Sequence, residues 1–274
     1  MLLEDVLPDE DYRFQFRFKR ASRDSFFQPT ADHDRLIAER RHWLRSNPDE
    51  YAALLPEGAP LLRETIGFAQ TAGTYKPSVA SGGGDASMGF EACLKLGEAW
   101  EPDYLLLTPD GAGTFRLVAG CVCFPSSWSL QEKIGRPIEE IHGVVPGLNP
   151  AIGQQIHRFL SKLSPEVAWL RSNWGLTRSP ELNQHPARKL PRLDESVSAD
   201  EVWLRVEHQA LLALAETGGV LFGIRLAIHP LPELLSDPFL PQRLVRALKT
   251  MPEPVAQYKG IAAARGRLIS MLEA

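Results

Sequence analysis

The order of its periodicities constrains this chain more than any other feature. Helical spacing dominates the first third, and β-rich segments then follow one another with few helices between them. Such an order builds an α+β fold around a mostly antiparallel sheet. After Thr30, which has the chemistry of an N-cap, Leu36, Ile37, Trp43 and Leu44 recur at helical spacing, and Asn47-Pro48 stops the run. Helical pattern resumes from Asp49 and again near Leu61 to Ala69, and the Gly/Ser-rich stretch from Tyr75 to Ser87, with Gly82-Gly83-Gly84, is a loop. Tyr104 to Thr108 and Thr114 to Phe124 flank Pro109-Asp110-Gly111 as a hairpin. Asn149-Pro150 opens a helix that Ser164-Pro165 ends, with Ile152, Ile156, Phe159, Leu160 and Leu163 as its apolar stripe.

Three further strands are expected at Val167 to Leu176, Glu201 to Gln209 and Val220 to Ile228, with a long polar loop, Thr177 to Asp200, between the first two. Two helices, about Pro241 to Thr250 and Ile261 to Leu272, close the chain. The division this implies is an N-terminal helical region, 1–100, packed on a core, 101–274, within one continuous domain.

At 274 residues the chain can bury about 70–75% of its unfolded surface without disulfides. A net charge of −4 with no block of like charge argues against nucleic acid as a partner. Cys93, Cys121 and Cys123 are too few and too odd for a disulfide framework, and too few for an iron–sulfur cluster or a structural zinc, which take about four ligands. The N-terminus is acidic where a secretory signal is basic, and no run nears the roughly 20 apolar residues of a membrane span. The expectation is a cytoplasmic protein with no membrane partner.

The phosphate-cradling G-x-x-x-x-G-K-[ST], the dinucleotide G-x-G-x-x-G, H-E-x-x-H and G-x-S-x-G are all missing. Electrons for any redox chemistry must therefore come from elsewhere.

Strand alternation locates the polar residues that run against the pattern, because successive side chains face opposite sides. One face of 167–174 carries Trp169, Arg171 and Asn173, and one face of 202–209 carries Trp203, Arg205, Glu207 and Gln209. Arg225 is the lone charge of an apolar strand. A solvated face with arginines lying over tryptophans would explain this pattern. So would a pocket floor whose guanidinium groups hold a carboxylate, with Glu207 as the internal partner of Arg225. Among the histidines, His157 is expected to face solvent, His33 and His42 sit among charges, His185 lies in the polar loop and His229 at a strand end. His142 stands apart, in the apolar, tightly turned Ile141-His142-Gly143-Val144-Val145-Pro146-Gly147. There it is either a hydrogen-bonded structural residue or a rigidly presented metal ligand. Glu207 and His208 are strand neighbours that point apart, which disfavours a non-haem iron triad using both.

Several segments together resemble the family typified by haem-dependent oxidative N-demethylase. They are Cys123-Phe-Pro-Ser-Ser-Trp128, Glu132-Lys-Ile-Gly135, Ile141-His142 with Val145-Pro146, Leu170-Arg171-Ser-Asn173-Trp174, Arg205-Val-Glu207-His-Gln209-Ala-Leu211, Val220-Leu-Phe222-Gly-Ile224-Arg225 and Tyr258-Lys259-Gly260. The resemblance is ordered over roughly Tyr104 to Gly260, and departs from the family at His208, where an arginine is usual. It implies a PAS-like core with added N- and C-terminal helices, binding haem b. The implied activity is monooxygenation of the N-methyl carbon of a small secondary amine with O2, after which the carbinolamine falls apart to formaldehyde and the shorter amine. Electrons would come from NADPH through FMN and a 2Fe-2S cluster on a separate reductase. By the same resemblance His142 is the expected axial ligand, and Arg171, Arg205, Arg225 and Trp174 are cofactor-binding, Arg171 and Arg225 toward haem propionates or another carboxylate. Glu207 would hold the substrate ammonium or relay protons. A non-catalytic sensor of haem or of a carboxylate metabolite is the alternative function.

Overall fold

The computed structural model describes residues 3–76, 89–111 and 113–274. The triple glycine 82–84 lies outside them. Seven strands form one sheet: β1 (Lys19–Ala21), β2 (Ala52–Leu54), β3 (Asp103–Pro109), β4 (Phe115–Cys121), β5 (Ala168–Thr177), β6 (Trp203–Ala213) and β7 (Val220–Pro230). Their order is β1-β5-β6-β7-β3-β4-β2, and every neighbouring pair is antiparallel. The expected α+β architecture is therefore present. The five long strands lie where the alternation and the turn residues put them. Between β6 and β7 the chain turns at Glu216 to Gly219. Gly218 has φ +67°, and the Glu64 carboxylate accepts the Thr217 amide at 3.0 Å. The two edge strands, β1 and β2, come from the N-terminal hundred residues.

Alternation sorts the sheet into two faces. Leu204, Val206 and Leu212 of β6, Leu221 of β7 and Leu106 of β3 point one way. Over the β3 side of that face lie the helices His33–Ser46, Ala59–Thr71 and Phe90–Gly97, which bury Leu62, Leu96 and Trp100. Over the β5–β6 side lie the helices Leu240–Thr250 and Arg265–Glu273, through Leu244, Leu248 and Leu268. Burying a side chain of this size contributes roughly 1.5–3 kcal/mol. Gly223 lies where a Cβ would come 2.9 Å from the Phe26 ring, so the segment at Phe26–Phe27 packs directly on β7.

The other face carries Leu211, Ile224 and Leu105, and is covered by 124–163 through Leu130, Ile141, Ile156, Phe159 and Leu160. The start of this cover is fixed by a pair that the sequence pattern did not single out. Arg40 and Asp103, both essentially fully buried, meet at 2.5 Å, and the Asp103 carboxylate also accepts the amides of Cys123 and Phe124 at 2.7 and 3.0 Å.

Several local expectations shift. The helix expected after Thr30 begins at His33, because the Thr30 hydroxyl is drawn to Glu101. The helix opened by Asn149-Pro150 starts as a π-type turn and ends at Leu160. A further short helix, Glu253–Tyr258, lies between the two closing ones. No helix among the described residues is long and apolar enough to cross a membrane.

Candidate functional site

The β5–β6 register assembles the polar cluster. Asn173 pairs with Glu207, Arg171 with Gln209 and Gly175 with Arg205, so the side chains of Arg171, Asn173, Arg205, Glu207 and Gln209 rise from the sheet face covered by 124–163. The Glu207 carboxylate accepts three hydrogen bonds: from Ser126 Oγ at 2.6 Å, Gln209 Nε2 at 2.9 Å and Asn173 Nδ2 at 3.4 Å. Every donor is neutral. No lysine, arginine or histidine among the described residues lies within ion-pair distance of Glu207.

Arg205 stands behind Ser126. Its Nε donates to Ser126 Oγ at 2.8 Å, and its other nitrogens donate to the carbonyls of Phe124, Pro125, Glu181 and Leu182. With its donors directed to these partners, Arg205 clamps two loops and has little left to offer a ligand. The Ser126 oxygen accepts from this guanidinium, so its one proton is directed to Glu207. Ser127 follows with φ +60°, a conformation costly for a non-glycine residue and concentrated at functional sites.

Arg171 is different. Its Nε is buried with no hydrogen-bond partner and it makes no ion pair, although the guanidinium lies 5.8 Å from the Phe18 ring centre. His142 sits in the short helix Ile138–Gly143, where a tight loop was expected, and its ring has no hydrogen-bond partner among the described residues. Burial, then the charges of Arg171 and Lys133, push its pKa down to about 4, so the ring is neutral at physiological pH. His157, expected at the solvent, is partly exposed and pairs there with the partly exposed Glu139. Lys259 completes the surroundings. Its Nζ donates to the Trp174 carbonyl at 2.6 Å, and burial pulls its pKa down to about 8.

Two of the expected site residues are elsewhere. Arg225 is opposite His208 on the other sheet face, where it pairs with Glu101 rather than Glu207 and donates to the carbonyls of Phe26 and Gln28 at 2.7 Å. One residue of alternation separates it from the cluster. Trp174 also faces away, into the core beneath the C-terminal helices, edge-on to Tyr12. Asn173 and Gln209 shared the predicted faces of Arg171 and Glu207. Ser126 and Lys259 lay inside quoted motifs, but only the tertiary fold gives them partners.

No group of three or more His, Cys, Asp and Glu side chains that could hold a metal is gathered among the described residues. The donor set is instead one neutral imidazole beside one buried guanidinium without an acid. That fits a prosthetic group that brings its own equatorial ligands and a carboxylate, and it fits a bare iron poorly.

Fold and cluster together define a class: an α+β domain whose buried polar cluster lies between an antiparallel sheet and a covering segment. Residues 84–269 match the family described as haem-dependent oxidative N-demethylase, alpha subunit-like. The chain belongs to that family, and the matched stretch contains β3 to β7 and the whole cluster around Glu207.

Proposed function

We propose that this chain is the haem-binding subunit of a cytoplasmic monooxygenase that demethylates a small secondary amine. The observation that carries the reading is the neighbouring pair His142 and Arg171, both without a protein partner among the described residues. Its neutral state leaves His142 a lone pair with which it would hold the haem iron, and Arg171 would hold a propionate. Haem b, when bound, would supply the oxygen activation: an N-methyl amine, O2, two electrons and two protons give the carbinolamine and water. The carbinolamine then releases formaldehyde and the shorter amine. Glu207 would bind the substrate ammonium and accept the proton it sheds, and Ser126, Asn173 and Gln209 fix that carboxylate. The chain lacks dinucleotide and cluster motifs, which supports a separate reductase carrying NADPH, FMN and 2Fe-2S.

Reconstitution with haem tests the proposal. The wild type should show a Soret band, and His142→Ala should fold yet lose or shift it. An unchanged spectrum in the variant would remove the axial role. The unpaired cations also favour a second reading, non-catalytic binding of haem or a carboxylate metabolite. It predicts ligand-dependent thermal stabilisation with no formaldehyde from any amine and competent reductase.

A further inference from the structure

β1 pairs with β5 only at Ala168 to Leu170, so from Arg171 onward the outer edge of β5 has no strand partner among the described residues. Lys259 occupies this edge. Its ammonium has three donors, and one goes to the Trp174 carbonyl. Its Nζ also lies 5.4 Å from the Trp174 ring centre, and no carboxylate among the described residues is within ion-pair distance. Arg171, three residues before Trp174 and so about 10 Å from it along the strand, is equally without an acid. Glu207 is the carboxylate whose charge reaches both, yet neither touches it, so Arg171 and Lys259 are two cations lacking an anionic contact, while the donors of Arg205 go to Ser126 and to carbonyls. Buried charge is costly unless it is paired, so this excess calls for acid from outside the chain.

We propose that Lys259 is the second cation of the cofactor site and meets a carboxylate of the bound porphyrin, as Arg171 meets the other; the assignment rests on the cofactor site proposed above. The competing role for Lys259 is structural, a cap on an exposed edge carbonyl. The two roles separate by ligand charge. Haem and haem dimethyl ester, in which both carboxylates are masked, are titrated into wild type and into Lys259→Met, Lys259→Gln and Lys259→Arg, with affinity read from the Soret band. Lys259→Gln keeps a donor for the Trp174 carbonyl and covers the case in which Lys259→Met fails to fold.

Loss of the charge should weaken haem by about tenfold or more, as for a lost charge-assisted hydrogen bond, and leave the dimethyl ester within about twofold. Lys259→Arg should restore most of the haem affinity. Equal weakening of both porphyrins assigns Lys259 to the edge alone, and unchanged haem affinity in Lys259→Gln overturns the proposal as well. A wild type that binds the ester but not haem more tightly than its variants also overturns it. A wild type that binds neither removes the cofactor site itself, and the role of Lys259 with it.

Discussion

Glu207 draws its character from its neighbours. Three neutral donors hold both carboxylate oxygens, and the strongest contact, from Ser126, is oriented by a guanidinium whose other donors go to backbone carbonyls. A carboxylate fixed in this way can take a proton or hold an ammonium without moving. Glu207→Gln keeps the shape and loses the charge. It should retain haem binding and lower amine turnover by about 100-fold or more, the scale of a lost acid–base group. Turnover equal to wild type in a formaldehyde assay would remove the catalytic role. Ser126→Ala leaves Arg205 Nε and Glu207 Oε1 each one partner short. A hydrogen bond to a charged group contributes about 1.5–3 kcal/mol, so turnover should fall by roughly 10–100-fold.

At the scale of elements, strand alternation was the legible part. Arg171, Asn173, Arg205, Glu207 and Gln209 share a face because period 2 forces it, and the observed register brings the two strands into line. Arg225 failed for the same reason: no pattern within one strand says which of its faces meets the cluster across the sheet. Its acid, Glu101, lies 124 residues away, just before β3, in a segment to which the sequence pattern assigned no element. His208, on that same far face, sits between the two helical layers and shares a hydrogen bond with Ser172 at 3.0 Å. Burial pushes its pKa down to about 4 from an ordinary 6.5. Between those values the unfolded chain binds a proton that the folded one refuses, so stability is present above pH 6.5 and is lost as pH falls toward 4. His142 adds to the loss over the same window. Urea midpoints measured from pH 7 to 4 should fall steeply for the wild type and less steeply for His208→Gln. Parallel curves would show that His208 is not the group responsible.

For the whole molecule, the sheet is bounded at both edges by short strands of the first hundred residues, and half of its helical cover comes from the same stretch. Strands of three residues carry too little pattern to be seen in sequence, which is why that region looked like a helical layer laid on a finished core. The connection between that stretch and the site runs through Arg40. Its guanidinium leaves the helix His33–Ser46 to reach Asp103 at the start of β3, and the same carboxylate holds the amides of Cys123 and Phe124, where the cover of the site begins. Arg40→Met removes the cation paired with the fully buried Asp103 carboxylate. A loss of about 3–5 kcal/mol is expected, since breaking a buried pair strands its partner. Because Asp103 also anchors 123–128, the damage should reach Ser126, and haem affinity should fall more than in a variant of equal instability made under the C-terminal helices, such as Leu268→Ala, itself about 2–5 kcal/mol. A fragment of residues 101–274 carries the test further. It lacks β1 and β2, so two sheet edges and the apolar face at Leu106, Leu212 and Leu221 would lie open. Such a fragment should aggregate or lack a cooperative melt. A monomeric fragment that melts sharply and binds haem as the full chain does would show that the first hundred residues are dispensable cover and that Arg40 has no part in shaping the site.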